Sequence, residues 1–137
     1  MSTIDFKSLM AFANEARKNS YAPYSGFRVG AALLSESGKV YLGCNVENAS
    51  FGATCCAERT ALFTAVAAGE RSFTALALVG GKADEGDSGV FPCGICRQAL
   101  AEFCPPDMPI AVKDGDGFTL YQLSDVLPMA FTPKSLE

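Results

Sequence analysis

The stretch FTALALVG, residues 73–80, decides the fold class of this 137-residue chain. It is apolar almost throughout, which is typical of a strand buried on both faces inside a sheet. A helix that ends at Gly69 is predicted over 56–68, apolar nearly all round and therefore central. A second helix follows at about 94–103. Alternation of this kind predicts an α/β domain with helices on both faces of the sheet.

Further strands and helices are predicted on either side of this core. The remaining strands form two pairs, joined by the turns SESG and DGDG. A helix over 3–18 begins after a Ser/Thr cap, residues 81–89 form a loop, and a short helix covers 124–128. Residues 1–137 are therefore expected to form one three-layer α/β/α domain around a central mixed five-stranded sheet, whose other strands are 27–34, 39–46, 109–114 and 117–122.

The strand predicted over 39–46 sorts its side chains by alternation. Successive side chains of a strand point to opposite faces of the sheet. Asn45 and Glu47 are therefore expected to share one face. The other face carries Val40, Leu42, Cys44 and Val46.

Composition and charge limit the partners. The formal net charge is −4 and the eleven Lys and Arg are scattered, which argues against nucleic acid as a partner because nucleic-acid binding needs clustered basic residues. A small neutral molecule is the expected substrate. The N-terminus shows no secretory signal, and no stretch approaches the roughly 20 apolar residues that span a bilayer. A cytoplasmic protein without membrane contact is therefore expected.

The cysteine and histidine counts narrow the chemistry. Six cysteines in a chain expected in the reducing cytoplasm favour metal binding or catalysis over three disulfides. The chain has no histidine, which excludes Ser-His-Asp and Cys-His catalysis within one chain type. Proton transfer near neutral pH must then use a carboxylate, a cysteine, a lysine or a metal-activated water.

The peptide PCGIC (92–96) has the spacing of a metal knuckle, since two thiolates at a helix start can grip one tetrahedral ion. Thiol redox pairs have the same spacing. A structural zinc site needs two more ligands, but the chain has no second Cys-x-x-Cys and only one other cysteine-bearing helix start, at 55–56. Three thiolates with an open fourth position are the arrangement of a catalytic zinc.

Together, CAE (56–58) and PCGIC resemble the ligand segments of zinc deaminases, in which Cys or His, any residue and Glu precede a Pro-Cys-x-x-Cys segment. The pattern selects Cys56, because only that cysteine has a Glu two residues later, and it leaves Cys55 as a packing residue. Glu58 is then not a ligand. Its expected role is to take a proton from a zinc-activated water and deliver it to the pyrimidine N3, and later to the leaving amine.

Three thiolates around Zn²⁺ leave a net charge of −1, which nearby positive charge must offset. Both cysteine segments open helices, whose N-termini carry about half a positive charge each. Arg59, one turn after Cys56, is expected to be the main donor to a cysteine sulfur. Arg97 directly follows Cys96 and is a second candidate. The alternative for each arginine is a solvated surface side chain.

From YAPYSGFRVGAAL (21–33) to LPMAF (127–131), the chain resembles the small homotetrameric class of cytidine deaminases. The segments GCNVENAS (43–50), CAERTALF (56–63) and PCGICRQ (92–98) carry the resemblance. It implies hydrolysis of cytidine and 2′-deoxycytidine to uridine and 2′-deoxyuridine with release of ammonia, a reaction of pyrimidine salvage. It also implies one Zn²⁺ per subunit and a homotetramer in which neighbouring subunits complete the active sites.

The resemblance also assigns residues. The zinc ligands would be Cys56, Cys93 and Cys96, and Glu58 would carry the protons. The Ala57 backbone and Glu58 would hold the base, Asn45 and Glu47 would bind the ribose, Phe27 would line the pyrimidine pocket, and Phe131 would stack on the base from a neighbouring subunit. Phe51 stands where the family commonly has Tyr, which keeps an aromatic wall but removes a hydroxyl. The plain alternatives are solvent-facing positions for Asn45 and Glu47 and ordinary packing for Phe27 and Phe131.

Other functions stay open at this point. A structural zinc module without catalysis predicts four protein ligands and no Glu beside the metal. A thiol redox protein leaves Cys56 and Glu58 without a role. A polynucleotide deaminase is disfavoured by the acidity and size of the chain. A deaminase of a cytosine-nucleoside antibiotic is closer, but NVEN (45–48) favours an ordinary ribose.

Overall fold

The computed structural model describes residues 3–82 and 88–137. The loop predicted over 81–89 lies partly outside the described residues, and its first two positions extend a strand instead. Two short 3-10 turns cover Phe51–Ala53 and Pro133–Leu136. In chain order, the helices and strands are α1 (Phe6–Arg17), β1 (Phe27–Ser35), β2 (Val40–Cys44), α2 (Ala57–Ala67), β3 (Phe73–Lys82), α3 (Gly94–Phe103), β4 (Pro109–Asp114), β5 (Gly117–Gln122) and α4 (Leu123–Val126).

The strands form one sheet in the order β2-β1-β3-β4-β5. The pair β3 and β4 is parallel, and the other three neighbouring pairs are antiparallel. The expected mixed five-stranded sheet is therefore confirmed. Its central strand is β3, whose apolar sequence is explained by burial on both faces.

Helices cover both faces of the sheet, as expected for three α/β/α layers. On one face α1 packs through Leu9, Met10 and Ala13 against a small-residue surface that includes Ala32 and Ala75. On the other face α2 and α3 bury most of the larger apolar side chains of the core. Gly30 allows the α1 layer to come close, because a Cβ there would lie 1.9 Å from the carbonyl oxygen of Ala13.

A second glycine brings the start of α2 against the edge strand β2. A Cβ on Gly43 would lie 2.3 Å from the Ala57 carbonyl oxygen and 2.4 Å from the Ala61 nitrogen, so only glycine fits there. The Thr60 hydroxyl adds a tie, since its Oγ1 lies 2.8 Å from the Cys44 carbonyl oxygen to which it donates. These contacts fix where the first turn of α2 lies.

Two local predictions are wrong. The cap of α1 is Asp5, whose carboxylate accepts the Ser8 N–H at 3.1 Å and the Ser8 hydroxyl at 2.7 Å, because two acceptor oxygens can serve both donors. The strand β2 ends at Cys44 rather than 46, since Val46 exchanges two backbone hydrogen bonds with Cys55, at 2.9 and 3.0 Å.

The helix α2 was expected to be central, and in the single chain it is only half enclosed. Its buried side carries Ala57, Ala61, Leu62 and Ala65. The opposite side leaves Phe63 49 % exposed. A helix that is apolar on its outer face as well retains surface that another molecule can cover.

Membrane crossing was judged separately from the fold. A helix that crosses a bilayer needs about 20 predominantly apolar residues. Within residues 3–82 and 88–137, every helix falls short of the length and apolarity that crossing requires.

Candidate active site

Three cysteine sulfurs meet where α2 and α3 begin. Cys56 and Cys93 immediately precede the two helices, and Cys96 lies in the first turn of α3. The three Sγ atoms lie within 4.8 Å of one another. Cys56 Sγ is 3.6 Å from Cys93 Sγ, and Cys93 Sγ is 3.3 Å from Cys96 Sγ.

This donor set fits a zinc ion. Zn–S distances near 2.3 Å and tetrahedral angles place two sulfurs about 3.8 Å apart. The Cys56–Cys93 and Cys93–Cys96 separations, 3.6 and 3.3 Å, need to grow by only a few tenths of an ångström to reach that geometry. Among the described residues, the cluster comprises three sulfurs and no fourth Cys, Asp or Glu ligand, which matches an open catalytic position rather than a closed structural site.

The charge of the cluster is offset by helix N-termini and by Arg59. Arg59 Nη2 lies 3.8 Å from Cys56 Sγ and 3.1 Å from the carbonyl oxygen of Thr54, and it donates to both. Hydrogen bonds from Cys96 and Arg59 hold the pKa of the Cys56 thiol below its ordinary value. Burial disfavours the charged guanidinium, but its bonds to Cys56 and Cys96 outweigh burial and raise the pKa of Arg59.

Arg97, the second candidate donor, binds backbone instead of sulfur. Its Nε lies 2.6 Å from the Pro92 carbonyl oxygen, and its Nη1 lies 2.6 Å from the Val126 carbonyl oxygen. The guanidinium therefore joins the turn that precedes Cys93 to the end of α4. It supports the ligand turn mechanically rather than by charge on a thiolate.

Glu58 stands beside the sulfurs in the first turn of α2. It is 4 % exposed, and the preceding Ala57 is fully buried. Burial raises the pKa of the Glu58 carboxyl from its ordinary 4.5 to about 7, against an opposing hydrogen bond from Cys96. A carboxyl with a pKa near 7 can both accept and release a proton at neutral pH.

The backbone pairing of Val46 with Cys55 brings a second group of polar residues next to this cluster. Asn45 and Glu47 flank Val46, and both are buried, so the solvent-facing alternative is wrong for both. Asn45 Oδ1 accepts the Val29 N–H at 2.9 Å, and Asn45 Nδ2 donates to the Phe27 carbonyl oxygen at 2.8 Å.

Glu47 is surrounded by hydrogen-bond donors. Its Oε1 accepts the N–H of Tyr24 at 2.9 Å and of Ser25 at 3.1 Å, and its Oε2 accepts the Ser25 hydroxyl at 2.5 Å. These bonds, the one from the Ser25 hydroxyl foremost, lower the pKa of Glu47. Sequence reasoning missed Ser25, although it lies within the quoted segment YAPYSGF.

The aromatic candidates differ in their surroundings. Phe27 is half-buried against the core, and its ring lies over Gly80, where a Cβ would come within 3.0 Å of Phe27 Cζ. Phe51 is exposed and packs edge-on against Tyr24, with ring centroids 5.0 Å apart.

Phe131 is exposed at the end of the segment that follows α4. Its side chain is 60 % exposed. Its carbonyl oxygen accepts a hydrogen bond from Gln98 Nε2 at 2.7 Å, which ties the C-terminal segment to α3. Gln98 was not predicted, although it closes the segment PCGICRQ.

Comparison with known proteins agrees with this arrangement. Residues 4–112 match the family model described as the cytidine and deoxycytidylate deaminase zinc-binding region. A cytidine deaminase of Sporosarcina psychrophila is 46 % identical over 134 residues, which cover 97 % of this chain and 96 % of that protein. A cytidine deaminase of Halalkalibacterium halodurans is 44 % identical over 134 residues, which cover 97 % of this chain and 98 % of that protein.

Solved structures agree as well. The crystal structure of a cytidine deaminase from Burkholderia pseudomallei aligns with a TM-score of 0.84 and 45 % identity over 93 % of this chain and 100 % of that one. The crystal structure of the cytidine deaminase from Mycobacterium tuberculosis aligns with a TM-score of 0.81 and 39 % identity, over 94 % of this chain and 98 % of that one. None of these relatives is named as a structural zinc module or an antibiotic deaminase, so those alternatives are not favoured. With its three sulfurs, its buried glutamate and these matches along nearly the whole chain, the protein belongs to the cytidine and deoxycytidylate deaminase family.

Proposed function

We propose that residues 1–137 act as one domain that catalyses the zinc-dependent hydrolytic deamination of cytidine and 2′-deoxycytidine to uridine and 2′-deoxyuridine, with release of ammonia. The observation that carries this function is Glu58, a carboxyl that is buried beside three cysteine sulfurs. A merely structural zinc site has no use for such a group. The similarity to cytidine deaminases supports the same activity.

Cys56, Cys93 and Cys96 would hold the zinc ion, and Arg59 would offset the charge of the third thiolate. When bound, zinc supplies Lewis-acid activation of a water molecule at neutral pH. Glu58 would accept one proton of that water as the water oxygen adds to C4 of the cytosine, and would donate this proton to N3. It would then move the second proton of the added oxygen to the amine, so that the C4–N bond breaks and ammonia leaves. Its burial suits this task, because a carboxyl with a pKa near the working pH both takes up and gives up protons.

The remaining residues would bind and orient the nucleoside. The backbone of Ala57 and the Glu58 carboxyl would hold the base, and the Phe27 ring would line the pocket around it. Asn45 and Glu47 would bind the ribose hydroxyls. Each keeps a lone pair or an N–H for this purpose, since Asn45 uses one N–H and one acceptor position on backbone and Glu47 accepts a single bond at Oε2.

We also propose a homotetramer whose neighbouring subunits complete the active sites through Phe51 and Phe131. Exposed apolar side chains support assembly: Ile95 is 65 % exposed, and it lines with Phe63 an open groove of about 500 Å³ between α2 and α3. An apolar groove of this kind is typical of a surface that a partner covers. The cytoplasm is the proposed location, since none of the six cysteines, all of them among the described residues, forms a disulfide. Pyrimidine salvage is the proposed role, because the reaction converts one pyrimidine nucleoside into another.

The function is tested by incubating the purified protein with cytidine. We expect one zinc per chain by metal analysis, loss of absorbance at the cytosine band, and one ammonia released per uridine formed. Bound zinc without ammonia release would instead support a structural zinc module. A single species of four subunits in analytical ultracentrifugation is expected, and a monomer at micromolar concentration would contradict the tetramer.

A further inference from the structure

The hydroxyl of Ser25 stands between two parts of the nucleoside site. It donates to Glu47 Oε2, with Ser25 Oγ and Oε2 2.5 Å apart, and it accepts the N–H of Phe27 at 3.1 Å. One side chain therefore connects the carboxylate assigned to the ribose with the backbone of the ring assigned to the base. Hydrogen bonds linked in this way polarise and position one another.

The other backbone group of Phe27 is held from the opposite side. Its carbonyl oxygen accepts Asn45 Nδ2 at 2.8 Å, and Asn45 Oδ1 accepts the N–H of Val29. Both backbone polar groups of Phe27 are thus linked to residues of the ribose site. The carbonyl oxygen is bonded to Asn45 directly, and the N–H is linked to Glu47 by way of Ser25. The Phe27 ring lies over Gly80, where a Cβ would come within 3.0 Å of Phe27 Cζ.

The turn that carries Ser25 is itself fixed by Glu47. The carboxylate accepts the N–H groups of Tyr24 and Ser25, and Gly26 holds a positive φ of 69° that lets the chain turn into β1. A change at the carboxylate therefore reaches Phe27 through the turn, and a change at Phe27 reaches the carboxylate. The hydroxyl that donates to Glu47 is that of Ser25, since Tyr24 donates to it only through its backbone N–H.

We propose that Ser25 is a positioning residue that couples ribose recognition to the base pocket, by holding Glu47 and the Phe27 backbone in one hydrogen-bonded unit. The inference rests on the proposed cytidine deaminase activity and extends it to a residue outside the zinc site. Ser25 makes the deaminase selective for nucleosides whose sugar carries a hydroxyl for Glu47 to bind. It does not itself touch the reacting atoms.

The test compares Ser25→Ala with wild type on two substrates, cytidine and 2′,3′-dideoxycytidine, which lacks the 2′- and 3′-hydroxyls but keeps the 5′-hydroxyl. In wild type, cytidine is expected to have the higher kcat/KM. Ser25→Ala is expected to raise KM for cytidine about tenfold, as for the loss of one hydrogen bond to a charged group, with kcat changed less than about twofold. The kcat/KM ratio between the two substrates is expected to fall by about fivefold or more.

Two variants serve as controls. Ser37→Ala removes a serine hydroxyl that also donates to a carboxylate, Glu70, outside the site, and it should leave the ratio unchanged. Ser25→Thr retains the hydroxyl and should restore most of the ratio. If Ser25→Ala is recovered only as aggregate, Ser25→Cys, which keeps the shape with a weak donor, carries the same test.

The outcomes separate the two proposals. A wild-type protein that releases no ammonia from cytidine refutes the proposed function. A wild type that deaminates cytidine, with a Ser25→Ala variant that keeps the wild-type ratio, overturns the role of Ser25 alone. Equal losses on both substrates also overturn it, because they indicate a general structural effect.

Discussion

Glu47 and Glu58 are both buried carboxyl groups near the same cluster of sulfurs, yet their pKa values move in opposite directions. Glu47 accepts three hydrogen bonds from the turn at Tyr24 and Ser25, and its pKa lies below the ordinary value. Glu58 is buried beside the cysteine sulfurs, and burial raises its pKa to about 7. The two shifts have different causes, since hydrogen-bond donors stabilise the charged form of Glu47 and burial disfavours the charged form of Glu58.

The opposite pKa shifts suit Glu47 and Glu58 to different tasks. A carboxylate that stays ionised and fixed is suited to bind hydroxyl groups, whereas one with a pKa near 7 is suited to move protons. Glu70 offers a third case outside the site. It accepts bonds from the hydroxyls of Ser35, Ser37 and Tyr41, at 2.6, 2.7 and 2.9 Å, and its pKa is lowered as that of Glu47 is.

Replacing Glu58 should have the largest effect. Glu58→Gln keeps the size of the side chain but cannot carry a proton, so we expect kcat for cytidine to fall by about 10²–10⁴-fold or more. Zinc content should remain one per chain, because Glu58 is not among the three sulfurs. Turnover by ammonia release and zinc by metal analysis check this. Normal turnover in a zinc-loaded Glu58→Gln variant would show that Glu58 does not carry the protons.

Replacing Glu47 should have a smaller and different effect. Glu47→Gln turns one acceptor oxygen into an amide that opposes the donors at Tyr24 and Ser25. We expect KM for cytidine to rise about tenfold, which is typical for a lost hydrogen bond to a charged group, and kcat to change much less. Steady-state kinetics separate the two constants. A fall in kcat like that of Glu58→Gln, at unchanged KM, would remove the distinction between the two carboxylates.

Replacing Glu70 should have the smallest effect, and it should be visible in stability alone. Folding lowers the pKa of Glu70 below its ordinary value of 4.5, so its ionised carboxylate stabilises the folded protein at pH values above 4.5. This stabilisation is lost as the pH falls through the lowered pKa. The difference in urea midpoint between wild type and Glu70→Gln should thus be full at pH 7 and shrink below about pH 4. Deaminase activity at pH 7 should be unchanged. A difference that grows with acid would contradict this account.

Much of the fold followed from local patterns. The strands at 109–114 and 117–122 and the helix at 94–103 were predicted with the bounds that the structure has, since hydrophobic runs and turn residues there agree with the tertiary environment. The Ser/Thr cap of α1 and the end of β2 were wrong. Both depend on which of several nearby partners a backbone group finds, Asp5 in one case and Cys55 in the other.

For the site, residue types and spacing indicated Cys56, Cys93, Cys96 and Glu58, because zinc chemistry restricts which side chains can serve and how far apart they stand. The supporting residues were harder to find. Ser25, Gly43 and Gln98 lie in the segments that carry the family resemblance, 21–33, 43–50 and 92–98. A serine, a glycine and a glutamine, however, have no specific spacing that identifies their role. Arg59 and Arg97 had similar sequence contexts, and their contacts proved different.

By itself, the sequence determined the α/β class, the set of thiols and the one glutamate that can serve them, because these depend on hydrophobic periodicity and on residue chemistry. Tertiary structure alone decided the close approach of α2 to β2 at Gly43 and the grip of the 24–25 turn on Glu47. It also set the opposite pKa shifts of Glu47 and Glu58. The physical reason is that proton affinity depends on which donors and how much apolar matter surround a carboxyl group, and those neighbours come from distant parts of the chain.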